Sequence, residues 1–241
     1  MTIEEQIERE FLAVTLRPQN MLIYAPRTSI LAAVKRESGT FYGRVLDVGC
    51  GYMPYRSIIE SNKNVSSYKG LDLEQPTYYG NVTPDLTWDG SSIPLDNASE
   101  DCVMATEFLE HYSDPEAILC EMKRVLKPSG QIFCTVPFIW NLHEVPYDEY
   151  RYTPYSLQRH FEAAGFTNID IRPLGGWNMA MAQMLGLWVT FGGPMNMFRR
   201  LIRMAVFPIF AVLVKTDRVP HSFDGHLGSM FPGLSITAEK P

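Results

Sequence analysis

The run Val45-Leu46-Asp47-Val48-Gly49-Cys50-Gly51 constrains the fold more than any other stretch of the chain. Apolar residues without polar alternation suit a strand covered on both faces, the kind found in parallel sheets. The two glycines that follow supply backbone conformations other residues resist, and they let the main chain lie close to a ligand. Pro54 then stands where a helix can begin, since proline suits a first helical turn. Strand, glycine turn and helix start together make a nucleotide-type binding corner, with helix N–H groups aimed at the ligand. Alone, Asp-x-Gly-x-Gly is a weak signal, because a tight turn in any α/β protein has the same letters.

What lies on either side strengthens it. Apolar positions Ile3, Ile7, Phe11 and Val14 predict a helix over 3–16, Pro18 and Pro26 bracket a loop, and a second helix is expected over about 27–37. Strands are predicted at 44–48, 68–73, 85–88, 101–106, 131–136, 166–172 and 234–239. Between them, helices are expected from Pro54 to Glu60, from Pro115 to Leu126 with Asp114 as cap, and from Pro154 to about Gly165 with Thr153 as cap. Strand and helix therefore alternate from residue 44 to 172, which argues for an α/β fold with a doubly wound, mostly parallel sheet. Ligands of such sheets bind at the carboxyl ends of the strands.

Composition removes several function classes. A net charge of −6 does not favour nucleic acid as a partner. Cys50, Cys102, Cys120 and Cys134 show no paired spacing and read as buried thiols of a reducing compartment. The acidic, polar start is not a signal peptide, and the longest apolar run, Met204 to Val214, is too short to span a bilayer. A cytoplasmic location is expected, and no metal site: His143 and Glu144 are poorly spaced as ligands.

Several further motifs agree in order and spacing. After Val45–Gly51 come Gly70-Leu71-Asp72-Leu73, Trp88-Asp89-Gly90 with Ile93-Pro94-Leu95, Glu100-Asp101-Cys102-Val103, Phe108-Leu109-Glu110-His111 and Glu121 to Gly130. Through this ordered set the chain resembles the class I S-adenosylmethionine-dependent methyltransferases, in the small-molecule branch that includes quinone-biosynthesis enzymes. The resemblance covers residues 44 to about 172 and extends to Leu234–Lys240, and it implies a seven-stranded Rossmann-like sheet within a single domain over 1–241. Residues 1–40 would then form N-terminal helices, 41–173 the cofactor-binding core, 174–232 a helical insertion and 233–241 the last strand. One departure is visible: many members carry a third glycine where this chain has Met53.

The resemblance also assigns roles. Asp47 would position the glycine loop or the cofactor's amino group, and Gly49, Cys50 and Gly51 would let backbone pass beside its amino-acid part. Asp72 would accept hydrogen bonds from the ribose hydroxyls, a task for an acceptor-only carboxylate. Leu73 would pack on adenine, Asp89 and Gly90 would bind the adenine edge, and Thr106 and Glu107 would line the methionine end.

The acceptor end is read from His143-Glu144-Val145-Pro146-Tyr147-Asp148-Glu149-Tyr150-Arg151, which follows the fifth predicted strand. His143 and Asp148 are the candidates for proton transfer. His111, Glu144, Tyr147 and Arg151 are the candidates for holding the acceptor, Arg151 through an anionic group. This stretch bears a looser resemblance to methyltransferases of glycan pathways. A structural loop that salt-bridges itself to the sheet edge fits the same residues.

The insertion carries its own signal. Between Ile171 and Thr216 there are five Arg and Lys residues and no Asp or Glu, among many Met, Trp and Phe. Two readings stand: an interfacial segment over 177–214 that meets an anionic membrane surface and brings a lipid-linked acceptor, or a helical lid or homodimer face. The expected activity is methyl transfer to a small-molecule, glycan or lipid-linked acceptor, at oxygen. Its rivals are a non-catalytic cofactor-binding partner subunit and a nicotinamide-dependent oxidoreductase, which would need G-x-G-x-x-G after the first strand.

Overall fold

The computed structural model describes residues 2–74, 82–220, 223 and 228–241. The N-terminal segment folds as α1 (Ile3–Ile7) and α2 (Met21–Glu37). The core follows as β1 (Gly43–Val48), α3 (Arg56–Glu60), β2 (Val65–Leu73), β3 (Leu86–Trp88), β4 (Glu100–Thr106), α4 (Pro115–Val125), β5 (Leu126–Pro137), α5 (Pro154–Ala163) and β6 (Thr167–Pro173). Two long helices, α6 (Trp177–Phe191) and α7 (Met197–Lys215), precede the final strand β7 (Gly233–Glu239).

The strands form one sheet in the order β3-β2-β1-β4-β5-β7-β6. All pairings are parallel except those of β7, which runs antiparallel between β5 and β6. Period-two alternation splits the core between the two sheet faces. Val45, Cys102, Met104 and Phe133 pack with Ala33 and Val34 of α2 and Ile59 of α3. Leu46, Val103, Ala105, Ile132 and Cys134 pack with α4 and α5 on the other face. Helix α4 shows why it sits there: Pro115, Ile118, Leu119, Met122 and Val125 recur at helical spacing and are all buried, and Asp114 caps the first turn by accepting from Ala117 N–H at 3.0 Å.

Four local expectations are corrected. The helix expected over 3–16 ends at Ile7, and a π-helical turn carries residues 8–12. The second helix begins at Met21 and not at Arg27, with Pro26 inside it; a proline there forfeits one backbone hydrogen bond, and packing against the sheet and α6 outweighs that loss. Strand β5 starts at Leu126, directly after α4. Leu126 pairs with Glu100, and the carbonyl of Lys240 accepts from Ser129 N–H, so the tertiary partners extend a strand through residues that read as a turn. Cys120 is exposed, whereas Cys50, Cys102 and Cys134 are buried.

Because β1 to β5 run parallel, the residues after Val48, Leu73, Trp88, Thr106 and Pro137 all emerge along one edge. That edge holds every core residue assigned to the ligand.

Candidate active site

The glycine corner is shaped by its neighbours on β2. The carbonyl of Leu71 accepts from Gly49 N–H at 2.9 Å and from Cys50 N–H at 3.2 Å, folding the loop back over the strand. Gly49 has φ +68°, and a Cβ there would stand 2.3 Å from the Phe108 ring, so both conformation and space demand glycine. Met53 keeps the same left-handed backbone, φ +51°, without being glycine. Its side chain turns onto Gly70 of β2, where a Cβ would meet the Met53 sulfur at 2.6 Å, so Met53 stays off the ligand side.

Asp72 closes the corner. It is 8% exposed; one carboxylate oxygen accepts from Gly51 N–H and the other from Leu73 N–H, each at 2.7 Å. Burial raises its pKa, and those two backbone bonds oppose the rise. Each oxygen keeps a lone pair, so the carboxylate can still take a ligand hydroxyl. Asp47 lies beneath the loop, 1% exposed, and accepts from the Tyr68 hydroxyl. Burial pushes its pKa up to about 7, against the lowering effect of that hydrogen bond. Neither of its two expected roles is visible in its hydrogen bonding, since its partner is Tyr68 of β2 and it does not line the cavity beside the glycine corner.

Leu73 is 42% exposed and lies beside Gly90, whose carbonyl accepts from the Tyr112 hydroxyl. Tyr112 stacks on Trp88 and touches Phe108, making an aromatic wall behind this shelf. Asp89 is fully exposed and accepts from Ser91 N–H and the Ser91 hydroxyl, which hold its carboxyl below the usual range. Its structure is that of a turn residue at the shelf's rim.

Next to the glycine corner opens a cavity of about 310 Å³. Gly49, Cys50, Gly51, Thr106, Glu107, Glu110, His111, His143 and Glu144 line it, so the structure unites these candidates in one space. Asp72, Leu73, Asp89 and Gly90 border the corner from outside that lining. Burial raises the pKa of Glu107, and it raises that of Glu110 well above the ordinary carboxylate range, with the Glu107 charge adding to the effect.

Three candidates need correction. Tyr147, Asp148 and Arg151 do not line the cavity. Arg151 spends its guanidinium on both Asp148 oxygens, at 2.7 and 2.9 Å, and on the carbonyls of Tyr150 and Asn141, so it is not placed to grip an acceptor anion. Asp148 accepts from His143 Nδ1 at 3.2 Å and from His143 N–H at 3.1 Å. Burial alone would raise the Asp148 carboxyl; the bonds from Arg151 and the His143 backbone outweigh it and hold the pKa at about 2. Asp148 is thus a positioning residue that fixes the ring of His143 with Nε2 left over. Tyr147 acts through its backbone: its carbonyl accepts from His111 Nδ1 at 3.0 Å, and its N–H donates to the Glu144 carbonyl at 2.9 Å.

The structure adds residues that the sequence did not single out. Arg27 of α2 is the one Arg or Lys among the described lining residues; its guanidinium carbon stands 3.9 Å over the Phe11 ring. Gln183 of α6 lines the cavity from the insertion, held by the Ile139 carbonyl at 3.1 Å. Glu110 is in the motif Phe108–His111, where its burial gave no sequence signal. Arg27 and Gln183 belong to helices far away in the chain, and nothing local marks them.

Residues 46–134 match the family model described as a methyltransferase domain. A malonyl-[acyl-carrier protein] O-methyltransferase of Hahella chejuensis is 35% identical over an alignment of 110 residues that covers 42% of this chain; the chain spans 39% of that relative's length. A methyltransferase from Archaeoglobus fulgidus, described as SAM dependent, superposes with TM-score 0.55 at 16% identity, over 98% of this chain and 99% of that one. Phosphoethanolamine N-methyltransferase 2 of Haemonchus contortus, solved with S-adenosyl-L-methionine, gives 0.53 at 13% identity, over 100% of this chain and 60% of its own. The [4+2]-cyclase SpnF gives 0.54 at 21% identity, over 90% and 82%, so this fold houses more than one reaction.

Proposed function

From the premise that the chain carries a class I S-adenosylmethionine-dependent methyltransferase domain, we propose that it binds S-adenosylmethionine at the glycine corner and methylates an oxygen of a small or lipid-linked acceptor held in the adjoining cavity. The observation that carries this reading is the Asp72–Gly51 contact: the acid at the end of β2 and the glycine loop after β1 form one continuous surface beside a cavity with proton-transfer groups. The residues fit the cofactor. Asp72 has lone pairs for the ribose, Leu73 offers an apolar face for the base, and Gly49 leaves backbone bare where a side chain would strike Phe108.

The bound sulfonium supplies an activated methyl group, so the protein's part is to align the acceptor and handle its proton. Arg27 is the one Arg or Lys among the described lining residues and suits a carboxylate of either reactant. His143 takes the proton of a hydroxyl acceptor: Asp148 fixes Nδ1 as the donor, which leaves Nε2 as the acceptor toward the cavity. The relative that methylates malonyl-[acyl-carrier protein] acts at oxygen, which supports oxygen as the target here.

Radiolabelled S-adenosylmethionine incubated with the protein and a cell extract, then fractionated into lipid and water-soluble pools, tests the reading. Label transferred by wild type and not by His143→Ala supports it. Cofactor binding with no label in any pool would leave a cofactor-binding partner subunit in its place.

A further inference from the structure

We propose that Glu110, His111 and His143 form a binding site for a divalent transition-metal ion, opening onto the cavity. One ligand atom from each lies within 4.8 Å of the others. The two imidazoles are prepared for this. His111 Nδ1 donates to the Tyr147 carbonyl and His143 Nδ1 to the Asp148 carboxylate, so each ring has its outer nitrogen tied and presents Nε2. A carbonyl or carboxylate behind a histidine is the usual support of a metal-bound imidazole. The rings stand edge to face with centroids 4.9 Å apart.

Glu110 gives the independent observation. Its side chain is 0% exposed, lines the cavity, and neither carboxylate oxygen has a hydrogen bond from any described residue. Its backbone carbonyl accepts from Glu149 N–H at 2.9 Å and Tyr150 N–H at 3.2 Å, so the two segments that carry the cluster are locked together. His111 Nε2 stands 3.8 Å from Glu110 Oε1, too far for a hydrogen bond between them. A buried carboxylate left this way is costly to ionise, and either a proton or a cation offsets that cost. Bonds of about 2.0–2.2 Å to one ion need closure of roughly 1 Å or a little more between these atoms, within reach of side-chain rotation.

Two imidazoles and one carboxylate select zinc, manganese, iron(II) or cobalt over magnesium and calcium, which prefer oxygen. An acceptor oxygen entering the cavity can complete the coordination; with the ion bound, His143 Nε2 is a ligand and does not take the proton, so the metal-bound and proton-accepting states of His143 are alternatives. Only the acceptor's role rests on the proposed activity; the binding itself does not.

The test is titration of tag-free protein with Co²⁺, followed by visible absorption, and with Zn²⁺, followed by calorimetry. One ion per chain is expected, at least tenfold weaker in His111→Ala and in Glu110→Gln, with S-adenosylmethionine affinity unchanged. If the buried Glu110 variant fails to fold, the partly exposed His111 decides. No stoichiometric ion in wild type, or equal affinity in the folded variants, overturns the site. If no ion binds while His143→Ala still loses turnover, the proton-transfer reading stands alone. If the ion binds and no acceptor is ever labelled, the site stands and the activity falls.

A different region carries a second inference. We infer that the α6–α7 hairpin rests on an anionic lipid surface. Trp177, Met181, Met184, Trp188 and Phe191 make one exposed stripe along α6; Met197, Leu201, Met204 and Val212 make another along α7. Exposed Arg200 and Lys215 flank the second stripe, and no acidic residue lies between 171 and 216. Basic charge beside exposed Trp, Phe and Leu matches the interface of an anionic bilayer. Among the described residues no helix is long and apolar enough to cross a membrane, so contact is with the surface. Flotation with phosphatidylglycerol-containing vesicles is expected to carry wild type up, and Leu201→Glu with Met204→Glu to leave it down. Absence of flotation overturns the inference, and a dimer in sedimentation that the same double variant dissolves assigns the face to a second copy.

Discussion

Asp72 and Glu110 are both buried acids at the edge of one sheet, and they are built in opposite ways. Asp72 uses both oxygens on backbone N–H groups, one of the glycine loop and one at the end of its own strand. Glu110 uses neither. At Asp72 the first region is complete in its own hydrogen bonds and presents a finished surface to a ligand. The second, around Glu110, His111 and His143, holds polar groups in place from behind and leaves their inner atoms for something that arrives. On the proposed function, the finished corner takes the cofactor and the unfinished cavity takes the acceptor.

The largest expected effect is on the unfinished side. His143→Ala should cut turnover by about 10²–10⁴-fold while cofactor affinity holds; equal turnover would remove His143 from proton handling. Asp148→Asn should lower turnover less, with KM little changed, because the ring loses its ionised partner but keeps a hydrogen bond.

On the finished side the effects fall on stability. Asp47 has a folded pKa near 7, above its ordinary value. A raised carboxyl contributes stability that is full at low pH and lost as pH climbs from the unfolded pKa to the folded one. Thermal stability of wild type should therefore drop between about pH 4 and 7, by an amount on the order of a few kcal/mol, and Asp47→Asn should flatten that slope. An equally steep slope in the variant would place the titration elsewhere. Gly49→Ala should cost roughly 1–3 kcal/mol, read as the denaturant midpoint, since the new methyl meets Phe108. The smallest effect separates the two acids most sharply. Glu110→Gln should shift folding stability by less than about 1 kcal/mol, because no hydrogen bond is lost; a loss as large as that of Gly49→Ala would show that Glu110 holds structure after all.

The finished corner was legible in the sequence because its signals are local. Val45 to Gly51 announces strand and turn, and Asp72 closes the next strand. The seven strands and their order of helices followed from alternation, and the misplaced boundaries have tertiary causes. Leu126 becomes strand because Glu100 and Lys240 pair with its segment, and Met21–Ala25 become helix although Pro26 follows. The acceptor cavity was half legible. His111 and His143 stood out, while the real duties of Asp148 and Arg151 depend on a side-chain network that spacing does not encode. Arg27 and Gln183 reach the cavity from helices that the core pattern does not contain.

The central claim is that the loop after β1 and Asp72 together grip S-adenosylmethionine. Calorimetric titration of that cofactor into wild type and Asp72→Ala tests it most directly. The account predicts one site per chain, weakened by about 1–3 kcal/mol in the variant as charge-assisted hydrogen bonds are lost. Identical affinity in the two proteins, or no binding to wild type, would contradict it.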